Sequence, residues 1–343
     1  MHDGGPAAKI AVVYNAPRQP AAPDDADAIA EAESEVAARG VAETLAHLGY
    51  RTQVLSIDDD TAGAVRRLKR LAPDLVFNLC EAIMGDTSLE GAFCGLLELL
   101  RLPYTGAPPL ALALCRDKPL TKLALAGAGI PTPRFTVVRP GEHFSGSLTY
   151  PLIVKLAREH GSASICADSV GYDATAVNRR IAYIHQHYGQ DGLVEEYIEG
   201  REIKVTLLGY QDPEVLPIEE LDLSALPPGV PRVVGYEVNW LESSPLYGLD
   251  RAVCPADLPP DLAERIRDIA RRAYTLIGCR DYGRVDIRLK DNVPYVLEVN
   301  ANPDIAPGTG ITIAAQAAGL DYPALVGKVV ELALGRTSAH PTS

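Results

Sequence analysis

The sequence predicts an α/β protein in which an N-terminal domain with a doubly wound parallel sheet is followed by an α+β part built around an antiparallel hairpin. In the N-terminal third, apolar strand segments alternate with helical segments, and the first of them, 9–15, is apolar enough for burial on both faces. Farther along, polar and apolar residues alternate strictly in 283–289 and again in 295–300, with turn residues at 290–292 between them. The first pattern predicts the parallel sheet and the second predicts the hairpin.

The N-terminal domain is predicted to alternate between strand and helix. The expected bounds of its elements are 9–15, 30–48, 51–57, 61–71, 74–79 and 89–102. The buried stripe of its first helix is expected to contain Val36, Val41, Leu45 and Leu48. The preceding stretch, 16–28, is rich in Pro, Ala and Asp and is expected to be a surface loop. No Gly-x-Gly-x-x-Gly follows the first strand, so a dinucleotide-binding role is disfavoured.

The rest of the chain is predicted to form two subdomains beginning near Arg116. The expected division is an N-terminal domain at 1–115, a central subdomain at 116–199, a C-terminal subdomain at 200–335 and a disordered tail at 336–343. Further helices are predicted at 118–128, 173–188 and 258–277, with strands at 150–156 and within 193–205. The irregular stretch 227–250 is long enough to act as a lid.

The polar face of the predicted hairpin carries candidate metal ligands. Asp286, Glu298 and Asn300 are expected to share this face, and Arg284 lies beside them. Two carboxylates about 4 Å apart repel by roughly 4 kcal/mol at an effective dielectric near 20, so they need a cation. An all-oxygen set of this size suits Mg²⁺ when phosphates complete its coordination. The residues alone leave open a solvated sheet face held by Arg–Asp pairs, but the turn-rich segment 302–310 that follows offers backbone N–H groups to an anion.

Composition excludes several classes of partner. The net charge of −13 argues against nucleic acid or an anionic membrane as the main partner. No apolar run approaches the length of a membrane span, and residues 1–6 lack the apolar core of a signal peptide. The six cysteines form no Cys-x-x-Cys pair and are expected to be buried thiols, which is typical of a cytoplasmic protein.

Five short motifs occur together in one order along the chain: Asp117-Lys118, Ile153-Val154-Lys155, Glu195-Glu196-Tyr197-Ile198 with Glu202, Gly283-Arg284-Val285-Asp286 and Glu298-Val299-Asn300. In this order and spacing, the chain resembles the ATP-grasp fold and, within it, the D-alanine–D-alanine ligase group. The resemblance extends over residues 9–334 and also includes 32–36 and 90–106. It implies that the N-terminal domain is followed by a two-subdomain ATP-grasp fold.

The resemblance also implies cofactors and roles for particular residues. The implied cofactors are ATP and Mg²⁺. The residues implied to hold the nucleotide are Lys118 and Lys155 at the phosphates, Gly161, Ser162 and Ser164 in a loop over the phosphates, Glu195, Glu196, Tyr197 and Ile198 at the adenine, and Glu202 at the ribose. Asp286, Glu298 and Asn300 are implied to bind the metal, and Arg284 to stabilise charge on an acyl phosphate. Glu33 matches a residue that holds the substrate's ammonium group, although on a Glu-rich helix it is equally consistent with a solvated charge.

Three positions depart from the family pattern. The family's glycine-rich turn after the first strand is replaced by 14–17, and the lid lysine that contacts phosphate is replaced by Asn239. Lys204 shares a strand face with Glu202, and we expect it to supply part of the missing positive charge. The third departure is Asp304, where the family has a glycine in the turn that receives the substrate's carboxylate. With Gly308 and Thr309 it forms the predicted substrate turn. Either Asp304 points away as a turn-forming residue, or the acceptor presents an amine, amide or hydroxyl there.

The implied reaction joins amino acids or small peptides. ATP phosphorylates a carboxylate, and an amine then attacks the acyl phosphate, which releases ADP and phosphate. One alternative is a ligase that adds an amino acid to a peptide or natural-product precursor, and another is a nucleotide-binding regulator without catalysis. The expected partners are small-molecule substrates. The sequence leaves their identity and the oligomeric state open, a homodimer being one candidate.

Overall fold

The structure, a computed structural model, describes residues 7–16, 26–159, 165–235, 238 and 244–339, with only the backbone described for 26–33 and 337–339. Its strands, β1 to β13, are Lys9–Asn15, Arg51–Ile57, Leu75–Leu79, Phe135–Val138, Leu152–Leu156, Val170–Gly171, Gly192–Glu196, Arg201–Leu208, Glu214–Val215, Glu219–Asp222, Arg251–Val253, Tyr282–Lys290 and Val293–Asn300. Its helices, α1 to α9, are Ala26–His47, Thr61–Leu71, Glu90–Leu99, Pro109–Arg116, Lys118–Gly127, Ala174–Tyr188, Pro260–Ile277, Gly310–Ala317 and Tyr322–Ala339.

The N-terminal sheet is parallel and covered on both faces, as predicted. Its strand order is β2-β1-β3, and both pairings of β1 are parallel. Alternate residues of β1 enter two different cores, since Ala11 and Val13 pack with the α2 and α3 side while Ile10 and Val12 pack with the α1 and α9 side. This arrangement is the doubly wound one, and it explains why β1 is apolar throughout.

Helix α1 buries two residues of the predicted stripe, Val41 and Leu45, but not Val36 or Leu48. Its buried side chains are Ala38, Val41, Ala42 and Leu45, which follow helical spacing. Val36 is 72% exposed, so its predicted place in the core is wrong. The reason is rotational: a residue five positions before Val41 lies well away from the face that Val41 and Leu45 share.

Two antiparallel sheets form the rest of the fold. One has the order β4-β7-β5-β6, and the other has β11-β10-β8-β12-β13 with β9 attached to β8. The three sheets fall within the three predicted segments, although the domain boundaries themselves stay predictions. The hairpin between β12 and β13 turns through Asp291 and Asn292, whose φ angles of 51° and 60° are those of a two-residue type I′ turn.

The N-terminal domain is held against the C-terminal part by a small polar junction. Buried Asp281 accepts hydrogen bonds from Gly106 N at 2.8 Å and from the Arg336 guanidinium at 2.7 and 2.8 Å. Arg336 also donates to the Tyr104 carbonyl, at 3.0 Å.

Helix α9 extends beyond residue 335 to Ala339. Residues 336–339 are therefore helical, and the predicted tail begins too early. Residues 340–343 lie outside the described part of the chain.

No helix within the described residues combines the length and apolar character that a membrane crossing requires.

The Asp281–Arg336 pair is expected to contribute strongly to stability. In the Arg336→Met variant the Asp281 carboxylate, whose side chain is 1% exposed, loses its cation, and breaking one partner of such a buried pair costs about 3–5 kcal/mol. Urea unfolding should show that loss in the free energy of unfolding. The control is Arg267→Met, which removes an exposed pair with Glu264 and should cost less than about 1 kcal/mol. Equal losses in the two variants would contradict this assignment.

Candidate active site

One row of charged side chains crosses four strands of the large sheet. The register pairs Glu219 with Lys204, Lys204 with Asp286, and Asp286 with Glu298. Directly paired residues on neighbouring strands point to the same face, so all four side chains lie on one side of the sheet. The sequence predicted a shared face for Asp286 and Glu298 and placed Lys204 on the face of Glu202, but it did not join these two faces and did not identify Glu219 on β10.

Asp286 is the centre of this face. Arg284 binds its carboxylate with both arms, Nε to Oδ1 at 2.6 Å and a terminal nitrogen to Oδ2 at 2.8 Å. Asn300 Nδ2 donates to Oδ2 at 3.1 Å. Burial alone would raise the pKa of Asp286, but the adjacent Arg284 outweighs it and holds the pKa below its ordinary value. Asp286 is therefore an anion in the folded protein.

The donor set fits a magnesium ion that shares its coordination with a ligand. Within the described residues, no three His, Cys, Asp or Glu side chains come together as a metal site. The face instead offers two carboxylates, Asp286 and Glu298, and the amide of Asn300. Mg²⁺ takes six oxygens and keeps several for water and phosphates, so a set of this size fits a metal bound together with a nucleotide.

These side chains line a cavity of about 640 Å³, a volume usual for a small-molecule site. The predicted site residues that line it are Lys155, Glu195, Glu196, Tyr197, Ile198, Glu202, Lys204, Arg284, Asp286, Glu298, Asn300, Asp304 and Thr309. Lys118 and Gly308 do not line it, and Lys118 donates instead to the Glu159 carbonyl. Gly161, Ser162, Ser164 and Asn239 lie outside the described residues. Glu33 lies in the first part of α1, residues 26–33, of which only the backbone is described.

A buried charge cluster forms one wall of the cavity. Glu195 is 1% exposed and lies between two ammonium groups, with Lys122 Nζ at 3.0 Å and Lys155 Nζ at 3.6 Å. Burial raises the pKa of Glu195, but the two lysines outweigh it and the net shift is downward. Lys122 is fully buried and also donates to Thr132 Oγ1 at 3.0 Å. The carboxylate predicted to face adenine is thus held by a lysine behind it.

Sequence reasoning missed Lys122. It follows Lys118 by four residues on α5, so the two side chains share a helix face. Both lysines are buried, and burial lowers the pKa of each. The available signal was the four-residue spacing of two lysines on an otherwise apolar helix face. A lysine on such a face is almost never buried without a partner, so the spacing predicts a buried carboxylate nearby.

Charge is distributed unequally along the cavity. Every lysine and arginine among its lining residues comes from the two antiparallel sheets: Lys155, Lys204, Arg284 and Arg288. The N-terminal domain contributes no lysine or arginine to this lining, but it contributes the carboxyl side chains of Glu81 and Glu90. Tyr282 also lines this end, and its pKa is raised by burial and by nearby carboxylates that include Glu81 and Asp304. The part of the lining that comes from the N-terminal domain therefore favours a cation.

Asp304 forms a turn and also lines the cavity. Its Oδ1 accepts a hydrogen bond from Ala306 N at 2.8 Å, which makes it a turn-forming residue. It nevertheless lines the cavity and, like Glu81 and Glu90, lies close enough to Tyr282 to raise the pKa of that tyrosine. Thr309 Oγ1 closes the same turn by donating to the Asp304 carbonyl, at 3.0 Å.

Comparison with known proteins agrees with this geometry. The family profile described as the D-ala D-ala ligase C-terminus matches residues 124–331. A D-alanine–D-alanine ligase of Moorella thermoacetica is 35% identical over 305 residues, which cover 86% of this chain and 92% of that protein. The chain belongs to the D-alanine–D-alanine ligase family.

Other relatives include a D-alanine–D-alanine ligase of Desulforudis audaxviator, 33% identical over 313 residues, which cover 89% of this chain and 96% of that protein. An uncharacterized protein of Sinorhizobium fredii is 32% identical over 305 residues, with 86% and 87% covered. The crystal structure of D-alanine–D-alanine ligase from Bacillus anthracis complexed with ATP has a TM-score of 0.74, at 22% identity, and covers 97% of this chain and 99% of that one.

Membership of the D-alanine–D-alanine ligase family confirms the predicted ATP-grasp fold and the predicted class of enzyme. The protein is an ATP-dependent, ADP-forming carboxylate–amine ligase that uses Mg²⁺. Neither alternative, the natural-product ligase or the regulator without catalysis, is favoured by this membership.

The pair formed by Lys122 and Glu195 can be tested by a double-mutant cycle. Lys122→Met leaves the Glu195 carboxylate buried with one ammonium at 3.6 Å, and we expect a loss of about 3–5 kcal/mol of folding free energy. With Glu195→Gln as the second single variant, the loss in the double variant should be smaller than the sum of the two single losses, because both single variants break the same pair, although Lys155 then stays buried without its carboxylate. Chemical unfolding without nucleotide measures the free energy of unfolding of the single and the double variants. A loss below about 1 kcal/mol in the single variant would contradict the close pairing.

Proposed function

We propose that this ligase joins the carboxylate of an amino acid or small peptide to an amine through an acyl phosphate, with the reaction centred on Arg284, Asp286, Glu298 and Asn300. One observation carries the proposal. Arg284 is the only arginine in the described part of the chain that binds Asp286. It lines the same cavity as two further metal-type donors, Glu298 and Asn300, and as the ammonium group of Lys155. Such a site supplies charge neutralisation and positioning, which is what phosphoryl transfer and acyl transfer require.

The residues are assigned as follows in this proposal. Lys155 and Lys118 hold the phosphates of ATP, with Lys204 adding positive charge from the neighbouring strand. Glu195 and the 196–198 segment hold the base, and Glu202, which is oriented by Arg288 at 2.6 Å, holds the ribose. Asp286, Glu298 and Asn300 hold Mg²⁺, which would neutralise phosphate charge. Glu33, Gly161, Ser162 and Ser164 keep the roles that the resemblance implies.

Arg284 has the geometry to serve the acyl phosphate. In the structure both of its arms are engaged by Asp286, and its side chain is only partly exposed, at 21%. A guanidinium is planar and always charged, so it can shift from a carboxylate to a phosphate without changing protonation state. Ile165, Val233 and Val234 line the same cavity and give it an apolar wall that excludes water from a hydrolysable intermediate.

We propose further that the acceptor is an amine without a free carboxylate beside its reacting nitrogen. Asp304, with Glu81 and Glu90, makes the acceptor end of the cavity anionic. A second carboxylate about 4 Å from one of these would be repelled by roughly 4 kcal/mol near a protein surface. An amino amide, a diamine or a peptide bound through its polar backbone avoids that repulsion. We place the reaction in the cytoplasm, where ATP is available. A homodimer stays a prediction, which light scattering can test.

Removal of the negative charge of Asp286 should abolish ligation without unfolding the protein. Asp286→Asn keeps the shape of the side chain but removes the charge that Arg284 and Mg²⁺ need, so we expect phosphate release to fall roughly 10²-fold or more. The assay measures phosphate released from ATP and Mg²⁺ with amino acids, amino amides and dipeptides, singly and in pairs. Asp268→Asn, an exposed surface change, is the control and should leave the rate unaltered. Near-normal turnover of Asp286→Asn would overturn the site assignment.

The charge of Asp304 should decide between acceptors. Asp304→Asn retains an oxygen that can accept from Ala306 N, so the turn is kept while the charge is lost. We expect kcat/KM for D-alanine as acceptor to rise at least about tenfold relative to D-alaninamide, because a repulsion of a few kcal/mol is removed. Both acceptors are compared in the unaltered protein and in the variant. Preference of the unaltered protein for D-alanine over D-alaninamide would refute the proposed acceptor class.

A further inference from the structure

Glu219 is a buried carboxyl group that none of the roles above uses. Its residue is 2% exposed, and its Oε2 has no hydrogen-bond partner among the described residues. A buried acceptor without a partner is costly, and in native proteins it often marks a functional group. Glu219 therefore needs an explanation beyond packing.

Glu219 lies between the row of charged side chains on the sheet and the turn that precedes α8. On one side it is paired in register with Lys204, which in turn is paired with Asp286. On the other side its Oε2 reaches the first residue of α8, because a Cβ placed on Gly310 would lie 2.7 Å from it. Gly310 directly follows Thr309, which lines the cavity and belongs to the predicted substrate turn. Glu219 thus lies behind Lys204 and Thr309, which line the cavity; it is not itself part of that lining, so an acceptor reaches its carboxylate only past these two side chains.

Ligation requires a proton acceptor near this position. An amine acceptor is mostly an ammonium ion at neutral pH, and an ammonium has no lone pair with which to attack. The attacking nitrogen must approach the acyl carbon beside Arg284 and Asp286 while the rest of the acceptor lies at the turn. A base for this step must therefore reach the nitrogen between Arg284 and the turn.

We propose that Glu219 receives the ammonium of the acceptor and takes the proton that frees its lone pair. This proposal rests on the proposed ligase function. One proton passes from the ammonium to the Glu219 carboxylate. The nitrogen lone pair then forms the C–N bond, the bond between the acyl carbon and the phosphate oxygen breaks, and phosphate leaves with that electron pair. Phosphate takes the second proton, the third stays on the amide nitrogen, and Glu219 returns its proton to solvent after product release.

The electrostatic surroundings suit a base. Burial raises the pKa of Glu219, while Lys204 and Arg284 act in the opposite direction. Asp286 and Glu202 face it from β12 and β8, Cys254 lies beyond it next to β11, and α8 contributes no charged residue. Asp286 is two strand spacings away, about 10 Å between backbones, so Glu219 is separate from the proposed metal ligands. A carboxyl group with a raised pKa holds a transferred proton better than an exposed one does.

The test separates proton removal from every other step. D-Alanine serves as the carboxylate substrate, and the two acceptors are D-alaninamide and hydroxylamine, whose nitrogen is already neutral at pH 7. In Glu219→Gln we expect kcat/KM for D-alaninamide to fall about 10²- to 10⁴-fold, while hydroxamate formation stays within about threefold of the unaltered protein. A side chain with a merely structural role would impair both acceptors equally, and that outcome overturns the proposal. So does retention of both activities.

The pH profile gives a second, independent readout. Below the pKa of the acceptor, the variant depends on the free amine, so its kcat/KM for D-alaninamide should rise about tenfold per pH unit. The unaltered protein should be flat over the same range, because Glu219 and the bound ammonium together supply the proton transfer. Lys204, Arg284, Asp286, Glu202 and Cys254 are present in both proteins, so a difference in slope belongs to Glu219. Parallel profiles would overturn the proposal.

Two further variants complete the design. Glu220→Gln is the matched control, since Glu220 is the next residue on β10 and is engaged by Arg201 at 2.7 Å on the opposite face. It should leave the ratio between the two acceptors unchanged. Glu219→Asp keeps the carboxyl group and should retain the flat pH profile at a reduced rate. Failure of the unaltered protein to use either acceptor contradicts the proposed function itself, and the Glu219 proposal falls with it.

Discussion

The antiparallel register of β10, β8, β12 and β13 is the constraint on which the site depends. Backbone pairing places Glu219, Lys204, Asp286 and Glu298 in one line, and the strand pleat turns them all to one face. A slip of one residue on any of these strands would move its polar side chain to the apolar face, where Val285 and Ile287 now pack. Hydrophobic burial on one face thus fixes the chemistry on the other.

One wall of the cavity has a local excess of positive charge around Glu195. Lys118, Lys122 and Lys155 are buried near Glu195, so this wall carries more ammonium groups than its carboxylate neutralises. A bound triphosphate would compensate the positive charge of the lysines, and Mg²⁺ would compensate the negative charge of Asp286 and Glu298. In the proposed reaction the acidic lining from the N-terminal domain would face the acceptor, and its sign is the basis of the proposed preference for an amine without a free carboxylate.

The sequence predicted strands and helices well wherever a strong period was present. Strand 51–57 and helix 61–71 have the predicted bounds, and the hairpin differs only in length, by one residue at each end of β12 and two at the start of β13. Predictions failed where tertiary contacts decide. Val36 has the composition of a core residue but lies on the exposed side of α1, and Arg336 was assigned to a tail because its partner, Asp281, is distant in sequence.

Local pattern by itself determined the fold class, the polar face of the hairpin and the resemblance to the ATP-grasp ligases, because strand periodicity and short motifs are properties of neighbouring residues. Only the tertiary structure decided which distant groups meet. Lys122 lies 73 positions from Glu195, and Glu219 faces Gly310 across 91 positions, by the numbering of the chain. Periodicity cannot report such contacts, since the energy of a buried charge depends on the partner that folding brings beside it.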